Sequence, residues 1–378
     1  MIDNLLDSGY RPGGGEAWRA PWSSYGLLRD HDPVHHVVPP NAPHRDYYVL
    51  SRHADVLAAA VDAGTYSSAA GLTVEYDEIE RIGLTDNPPF VMTDPPAHTA
   101  FRKLVARGFT PRQVRDIEPA VRAFVVERVE RLRAGGGGDV VTELFKPLPS
   151  LVVGHYLGVP TEDQPRFDEW SSAIVSANAD ANANGGSAGA GAAEATIDLM
   201  GYFGALVERR RREPGDDTVS QLVRAGVADG PDGEAGLLSI LAFVFTMVAG
   251  GNDTTTGALG GAAQLLSAYP DQRKRLAADP SLVPDALEEF LRLTSPVQGL
   301  ARTTTRDVDL HDTVVPAGRR DGDGDAARRA LVTRGGRRLA ACPAEAHGPA
   351  AAVLLVLDRA HVRRGQTGRD GAEPERCA

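Results

Sequence analysis

The chain holds 378 residues, 42% of them hydrophobic, with a formal net charge of −11 and a pI near 5.4. That length suits one large domain or two ordinary ones with ample core material, and the acidic balance argues against a nucleic-acid surface, which needs clustered Lys and Arg. Two cysteines, Cys342 and Cys377, supply neither a disulfide framework nor a four-cysteine metal site.

The N-terminus, MIDNLLDSGYRPGGG, has no basic start and no long apolar run, so a cytoplasmic protein with no membrane association is expected. Val34 to Val38 and Tyr47 to Leu50 read as short strands around a Pro-Pro-Asn turn, and Ala54 to Val61 takes helical spacing, which predicts a small sheet near the N-terminus. Next comes Met92-Thr93-Asp94-Pro95-Pro96-Ala97-His98, a helix start with prolines in its first turn. His98 and Arg102 then lie four residues apart on one helical face, where two donors can converge on one anion. A solvated surface pair is the alternative. Thr110-Pro111 opens an amphipathic helix with Val114, Ile117, Val121, Phe124 and Val125 on its apolar side, ending at the Gly135 to Gly138 break. Ser176 to Ala195 is low in complexity and reads as a mobile surface connection between helices.

Residues 237 to 257, LLSILAFVFTMVAGGNDTTTG, form a long apolar helix pattern interrupted by Gly250, Gly251, Asn252, Asp253, Thr254 and Thr255. Each glycine costs about 1 kcal/mol against alanine in a helix, and the threonines compete for backbone bonds. Something should offset that cost. Glycine lets a flat ligand approach the backbone, a threonine hydroxyl can bond a carbonyl one turn back, and an adjacent acid can pass protons. The plain alternative is a core helix that ends at a glycine cap. The apolar part of this stretch is too short to span a bilayer. Further on, Glu289 and Arg292 stand three residues apart on a helix whose Leu287, Phe290, Leu291 and Leu293 leave little solvent-facing surface, so a buried ion pair is expected. After Pro296, GLARTTTRDVDLHDTVVPAG reads as a strand pair ending in a Pro-Ala-Gly turn.

The order His-x-x-x-Arg, Gly-Gly-x-Asp-Thr-Thr, Glu-x-x-Arg, Ala-Arg strand, Pro-Ala-Gly resembles the cytochromes P-450, the haem-thiolate monooxygenases, over residues 20 to 320. The resemblance implies a mainly α fold with a small β-rich region. It implies haem as cofactor, with His98, Arg102 and Arg302 on the propionates and Gly250 and Gly251 beside the macrocycle. Asp253 and Thr254 would deliver protons, and Glu289 with Arg292 would brace the structure without acting in catalysis. Dioxygen, an apolar small-molecule substrate and a ferredoxin-type redox partner follow from the same resemblance. It also makes Ser176 to Ala195 a candidate cover for the substrate entrance.

The pattern fails where the iron ligand belongs. A thiolate ligand favours O–O cleavage, and in the family its cysteine follows a Phe-x-x-Gly loop. Cys342 sits in LAACPAEAHGP and Cys377 is penultimate, so neither has that loop. From Asp321 to Ala378 there is no aromatic residue and no Lys, Ile, Met, Asn or Ser, a bias that suits a GC-rich gene read in the wrong frame. Read across codon boundaries, Val356 to Arg369 can spell Phe-Ser-Thr-Gly-His-Thr-Cys-Gly-Gly-Ala-Lys-Leu-Ala. Residues 1–320 are therefore expected to form the cytochrome P-450-like domain, C-terminally incomplete, and 321–378 an aberrant, out-of-frame tail. Two other readings stay open: a cysteine-less homologue that binds or activates another enzyme, and a gene product with no stable fold.

Overall fold

The computed structural model of the protein describes residues 22–39, 43–74, 79, 85–184, 190–227, 233–318 and 329–332. The first helix, α1 (Trp22–His31), leads into an antiparallel pair, β1 (Val34–Val37) and β2 (Tyr47–Leu50), with Val34 opposite Leu50 and Val37 opposite Tyr47. Short helix α2 (His53–Val61) and strand β3 (Tyr66–Ser67) follow. Apolar side chains on both faces of β2 are fully covered, because Tyr48 and Leu50 pack toward Val56 and Ala59 of α2 while Tyr47 and Val49 pack toward Tyr25 and Leu28 of α1.

Helices then dominate: α3 (Ala97–Val105), α4 (Pro111–Ala134), α5 (Pro147–Leu157), α6 (Gln164–Asn184), α7 (Ala190–Arg212), α8 (Thr218–Arg224), α9 (Gly233–Ala268), α10 (Pro270–Ala278) and α11 (Val283–Thr294). Thr110 caps α4 reciprocally with Gln113, each side chain meeting the other's backbone N–H, and Pro111 fills the first helical position where no N–H partner is needed. Of the apolar positions expected to cover α4, Ile117 is buried but Val114 is 53% exposed. The main core lies among α5 to α9, where Leu157, Phe167, Leu199, Phe203, Leu222 and Ile240 lose all their accessible surface. Burial of that kind stabilises by roughly 1.5–3 kcal/mol per side chain. The turn after α5 shows how tightly this core closes: Gly158 is left-handed (φ 80°), and a Cβ there would sit 2.5 Å from the Asp217 carboxyl carbon.

Two helical stretches run further than the sequence predicts. α6 continues through residues 176–184 and α7 starts at Ala190, so most of the low-complexity segment read as a loop is helix. Alanine is the best helix former and outweighs the Asn content once the helix has been nucleated in its packed part. Likewise α9 runs unbroken through Gly250 to Thr256, with neither a glycine cap nor an interruption. Its stretch Gly236–Ala268 is consequently long and apolar enough to cross a membrane by length and composition, which corrects the estimate of a short apolar run. Here α9 is the central helix of the fold and packs against α5, α6, α7 and α11.

The chain returns to the sheet with β4 (Leu300–Thr304), then forms a hairpin of β5 (Val308–Leu310) and β6 (Thr313–Val315). Its two-residue turn places His311 and Asp312 both at positive φ, 46° and 66°, the backbone that a tight right-twisted hairpin requires. Finally β7 (Arg329–Val332) inserts between β2, which it meets in parallel, and β4, giving the order β1-β2-β7-β4-β3. This strand lies inside the segment expected to be aberrant. Ladder hydrogen bonds use backbone groups, so a short run can serve as a strand with little demand on its side chains.

Candidate functional site

The site begins where α3 meets the sheet. After Asp94-Pro95-Pro96 the helix opens at Ala97, which sets His98 and Arg102 one turn apart. The His98 ring stacks on Phe90 at 5.9 Å between centroids, and Phe90 in turn touches Phe101 (5.4 Å) and Phe243 of α9 (6.0 Å). This aromatic contact fixes α3 against the central helix. Burial holds the His98 pKa below its usual value of 6.5, and the positive charges of Arg102 and Arg302 push it the same way against the opposing carboxylate of Asp94.

Arg302 comes from β4, far away in sequence, and is only 9% exposed. Its Nη1 donates to the Ala301 carbonyl at 2.8 Å, while burial depresses its pKa and Asp94 raises it. His98, Arg102 and Arg302 thus form one basic cluster built from two elements, its fixed charges those of the two arginines. A guanidinium buried this deeply is costly without an anion at hand. A planar cofactor bearing two carboxylates fits that requirement, so the residues present fit haem on its propionate side.

Asp253 and Thr254 lie on α9, about two to three turns beyond the Phe243 contact. Thr254 donates its hydroxyl to the Gly250 carbonyl at 2.5 Å, and Asn252 Nδ2 makes the same one-turn-back bond to Val248 at 3.0 Å. These side chains give each carbonyl a second donor while the helix stays continuous. Asp253 keeps over a third of its surface accessible, yet neighbouring atoms surround it closely enough that burial raises its carboxyl pKa above 3.8, with Lys146 opposing. A Cβ on the exposed Gly250 would meet nothing within 4 Å.

Gly251 behaves differently. A Cβ there would lie 2.8 Å from Val153 Cγ2 of α5, so its small size serves helix packing, and the expected contact with a cofactor gains no support from its surroundings. The Glu289–Arg292 pair forms as expected but is not buried: the two side chains keep 44% and 27% of their surface, and no residue of α11 is fully covered. Leu287 is 52% exposed. The pair stands on α11, whose last residue, Thr294, meets α9 at Gly261.

Some contributors carried no sequence signal. Lys146 reaches Asp253 electrostatically from the start of α5, and Thr256 ties α9 to the Phe145 carbonyl at 3.1 Å, inside a wide helical turn at Val141–Phe145. Neither residue belongs to a spaced motif. Cys342 and Cys377, the only cysteines, lie outside the described residues, as does the Val356 to Arg369 stretch. No group of three or more His, Cys, Asp or Glu side chains able to hold a metal ion occurs among the described residues.

A long unbroken central helix, a basic cluster that suits two carboxylates and a small mixed sheet together define a mainly helical fold with a place for haem's propionates. No family model matches the chain. Cytochrome P450 130 of Mycobacterium tuberculosis is 66% identical over 306 residues, covering 81% of this chain and 74% of that protein. Vitamin D(3) 25-hydroxylase of Pseudonocardia autotrophica is 35% identical over 305 residues, covering 80% and 72%. Among solved structures, cytochrome P450 CYP109Q5 from Chondromyces apiculatus superposes with a TM-score of 0.66 at 31% identity, over 85% of this chain and 75% of that one. The chain belongs to the cytochrome P450 family of haem-dependent monooxygenases, oxidoreductases that use dioxygen and a redox partner.

Proposed function

We propose that this chain is built to insert an oxygen atom into an apolar small molecule, taking electrons from a ferredoxin-type partner, and that as written it is inactive because the cysteine ligand loop is missing. The observation that supports the reading best is the convergence of His98 and Arg102 of α3 with the buried Arg302 of β4. Bound haem supplies the oxygen-activating chemistry; the protein binds, orients and moves protons. Arg102 and Arg302 would hold the propionates through planar, permanently charged forks, with His98 adding a donor that becomes cationic when an anion offsets its neighbours. Gly250 would leave room for the macrocycle.

Asp253 and Thr254 would then work as a proton path. Asp253, with its raised pKa, holds a proton more readily than a solvated carboxyl. The Thr254 hydroxyl spends its hydrogen on the Gly250 carbonyl, which leaves its oxygen free to accept from a water and so to hold that water in place. Glu289 and Arg292 would brace α11. A cytoplasmic location is part of the same proposal: α9, although long and apolar, carries Asp253 and packs against helices on several sides. Out-of-frame reading beyond residue 320 is our account of the missing loop.

The test is the reduced carbon monoxide spectrum of the purified chain with added haem. No thiolate-type band is expected. Such a band from the unaltered chain would overturn the inactivity, and its loss in Cys342→Ala would name the ligand.

A further inference from the structure

One carboxylate acts electrostatically on both His98 and Arg302 without belonging to the basic cluster. Asp94 lies between the short helical turn at Phe90–Met92 and α3, and its own carbonyl accepts the backbone N–H of His98 at 3.0 Å. Its side-chain bonds run to residues 67 and 68. Oδ2 accepts the Ser67 hydroxyl in a very short hydrogen bond, and Oδ1 accepts the Ser68 backbone N–H at 2.8 Å. Ser67 is a residue of β3, paired directly with Thr303 of β4, the neighbour of Arg302. The segment carrying His98 and Arg102 is thereby tied, through one side chain, to the strand pair carrying Arg302.

We propose that Asp94 is the positioning residue of the anion cradle: by clamping Ser67 and Ser68 it fixes the spacing between Arg302 and the His98–Arg102 face, so that the cradle accepts the two carboxylates of a porphyrin. This rests on the reading that those three cations hold propionates. The logic is that of a support shell. Cations drawn from two elements discriminate a dicarboxylate only if their separation is held within a fraction of an ångström, and two charge-assisted bonds from one carboxylate achieve that better than packing alone. Asp94 does not bind the ligand and its negative charge disfavours an anion nearby, so its presence costs some affinity unless the positioning matters more. That conflict makes the proposal testable, because charge and geometry predict opposite signs.

The measurement is a titration of the full chain with iron-free protoporphyrin IX and, separately, with its dimethyl ester, which keeps the ring and removes both carboxylates. Iron-free porphyrin makes the readout independent of any thiolate ligand and of turnover. The unaltered chain should prefer the diacid by about tenfold or more, the scale expected of charge-assisted contacts. Asp94→Ala should erase most of that preference while leaving ester affinity unchanged. Asp94→Asn should restore it, since its carbonyl still accepts from Ser68. If Ala and Asn both strengthen diacid binding, charge dominates and the proposal is overturned. If diacid and ester affinities fall together, Asp94 merely supports the fold and the proposal is again overturned. Should Asp94→Ala fail to fold, Ser67→Ala carries the test: a loss of about threefold in diacid affinity alone, the scale of one neutral-donor bond, supports it and no change overturns it. A parent chain with no preference for the diacid would overturn the propionate reading itself and this inference with it.

Discussion

Arg292 grips Glu289 with two parallel bonds, Nε to Oε2 and Nη2 to Oε1, each at 2.6 Å. These bonds push the Arg292 pKa up, against a smaller effect of burial. The fork-to-fork geometry is that of a strong pair, but nearly half of the Glu289 side chain faces solvent. Exposure decides the energetics. Glu289→Gln should therefore cost about 1 kcal/mol of stability, not the 3–5 kcal/mol typical of a pair broken in a dry interior. Denaturant unfolding of the two single variants and the double variant measures this, and a coupling above about 3 kcal/mol would show the pair to be covered in solution.

Asp253 yields a pH-dependent prediction. Its folded-state pKa lies above the ordinary 3.8, so the native state holds that proton more tightly than the unfolded chain does. The group favours folding below pH 3.8, and that contribution is lost as pH rises through the raised value. Asp253→Asn removes the penalty of the charged form. At pH 7.5 it should raise the melting midpoint by about 1–2 °C, a modest gain because water still reaches the carboxylate and screens it. The difference from the parent should shrink on acidification and vanish below 3.8. A variant less stable than the parent at pH 7.5 would contradict the desolvation argument.

Gly250 and Gly251 should respond to alanine in opposite directions. A methyl at 250 enters open space and improves helix propensity, worth up to about 1 kcal/mol. At 251 it meets Val153, and the resulting overpacking should cost about 1–3 kcal/mol. Thermal unfolding of both variants reads the contrast, and Val153→Ala should rescue Gly251→Ala alone. If Gly250 makes room for the macrocycle, Gly250→Ala should also weaken protoporphyrin binding although the protein is more stable.

Thr254→Ala addresses the proton path. In a protein whose reading frame is restored beyond residue 320, haem and substrate affinities should stay near the parent values. Product formed per reduced cofactor consumed should fall by about tenfold or more, with hydrogen peroxide making up the difference. Undiminished coupling would remove Thr254 from its assigned role.

Local features were the legible ones. The strand pair around Val34 and Tyr47, the Thr110 cap of α4 and the His98–Arg102 spacing all rest on periodicity or on contacts a few residues apart, which a sequence displays directly. Arg302 could be placed beside them only by resemblance, because strand pairing from the far end of the chain brings it there. Three features needed the three-dimensional arrangement. Unbroken helix through Gly250–Thr256 depends on packing along α9, which overrides weak propensity. Gly251 differs from Gly250 only in the direction each faces. The exposure of Leu287 and Val114 depends on which neighbours cover an apolar face, and periodicity reports the face without its partner.

The position of β7 bears on how the molecule is made. β2 and β4 never touch as ladder partners; each is bonded to Arg329–Val332, which emerges from the ribosome after every helix of the described fold. Until then the β1–β2 pair presents an open edge on one side, and β4 with β3 presents another. Synthesis is slow compared with helix formation, so the helical body can assemble while these two edges wait for their common strand. Any change of reading frame upstream of Arg329 therefore acts on the last closing contact of the sheet, and a nascent chain stalled before that point should be the species most readily captured by chaperones that recognise unpaired strands.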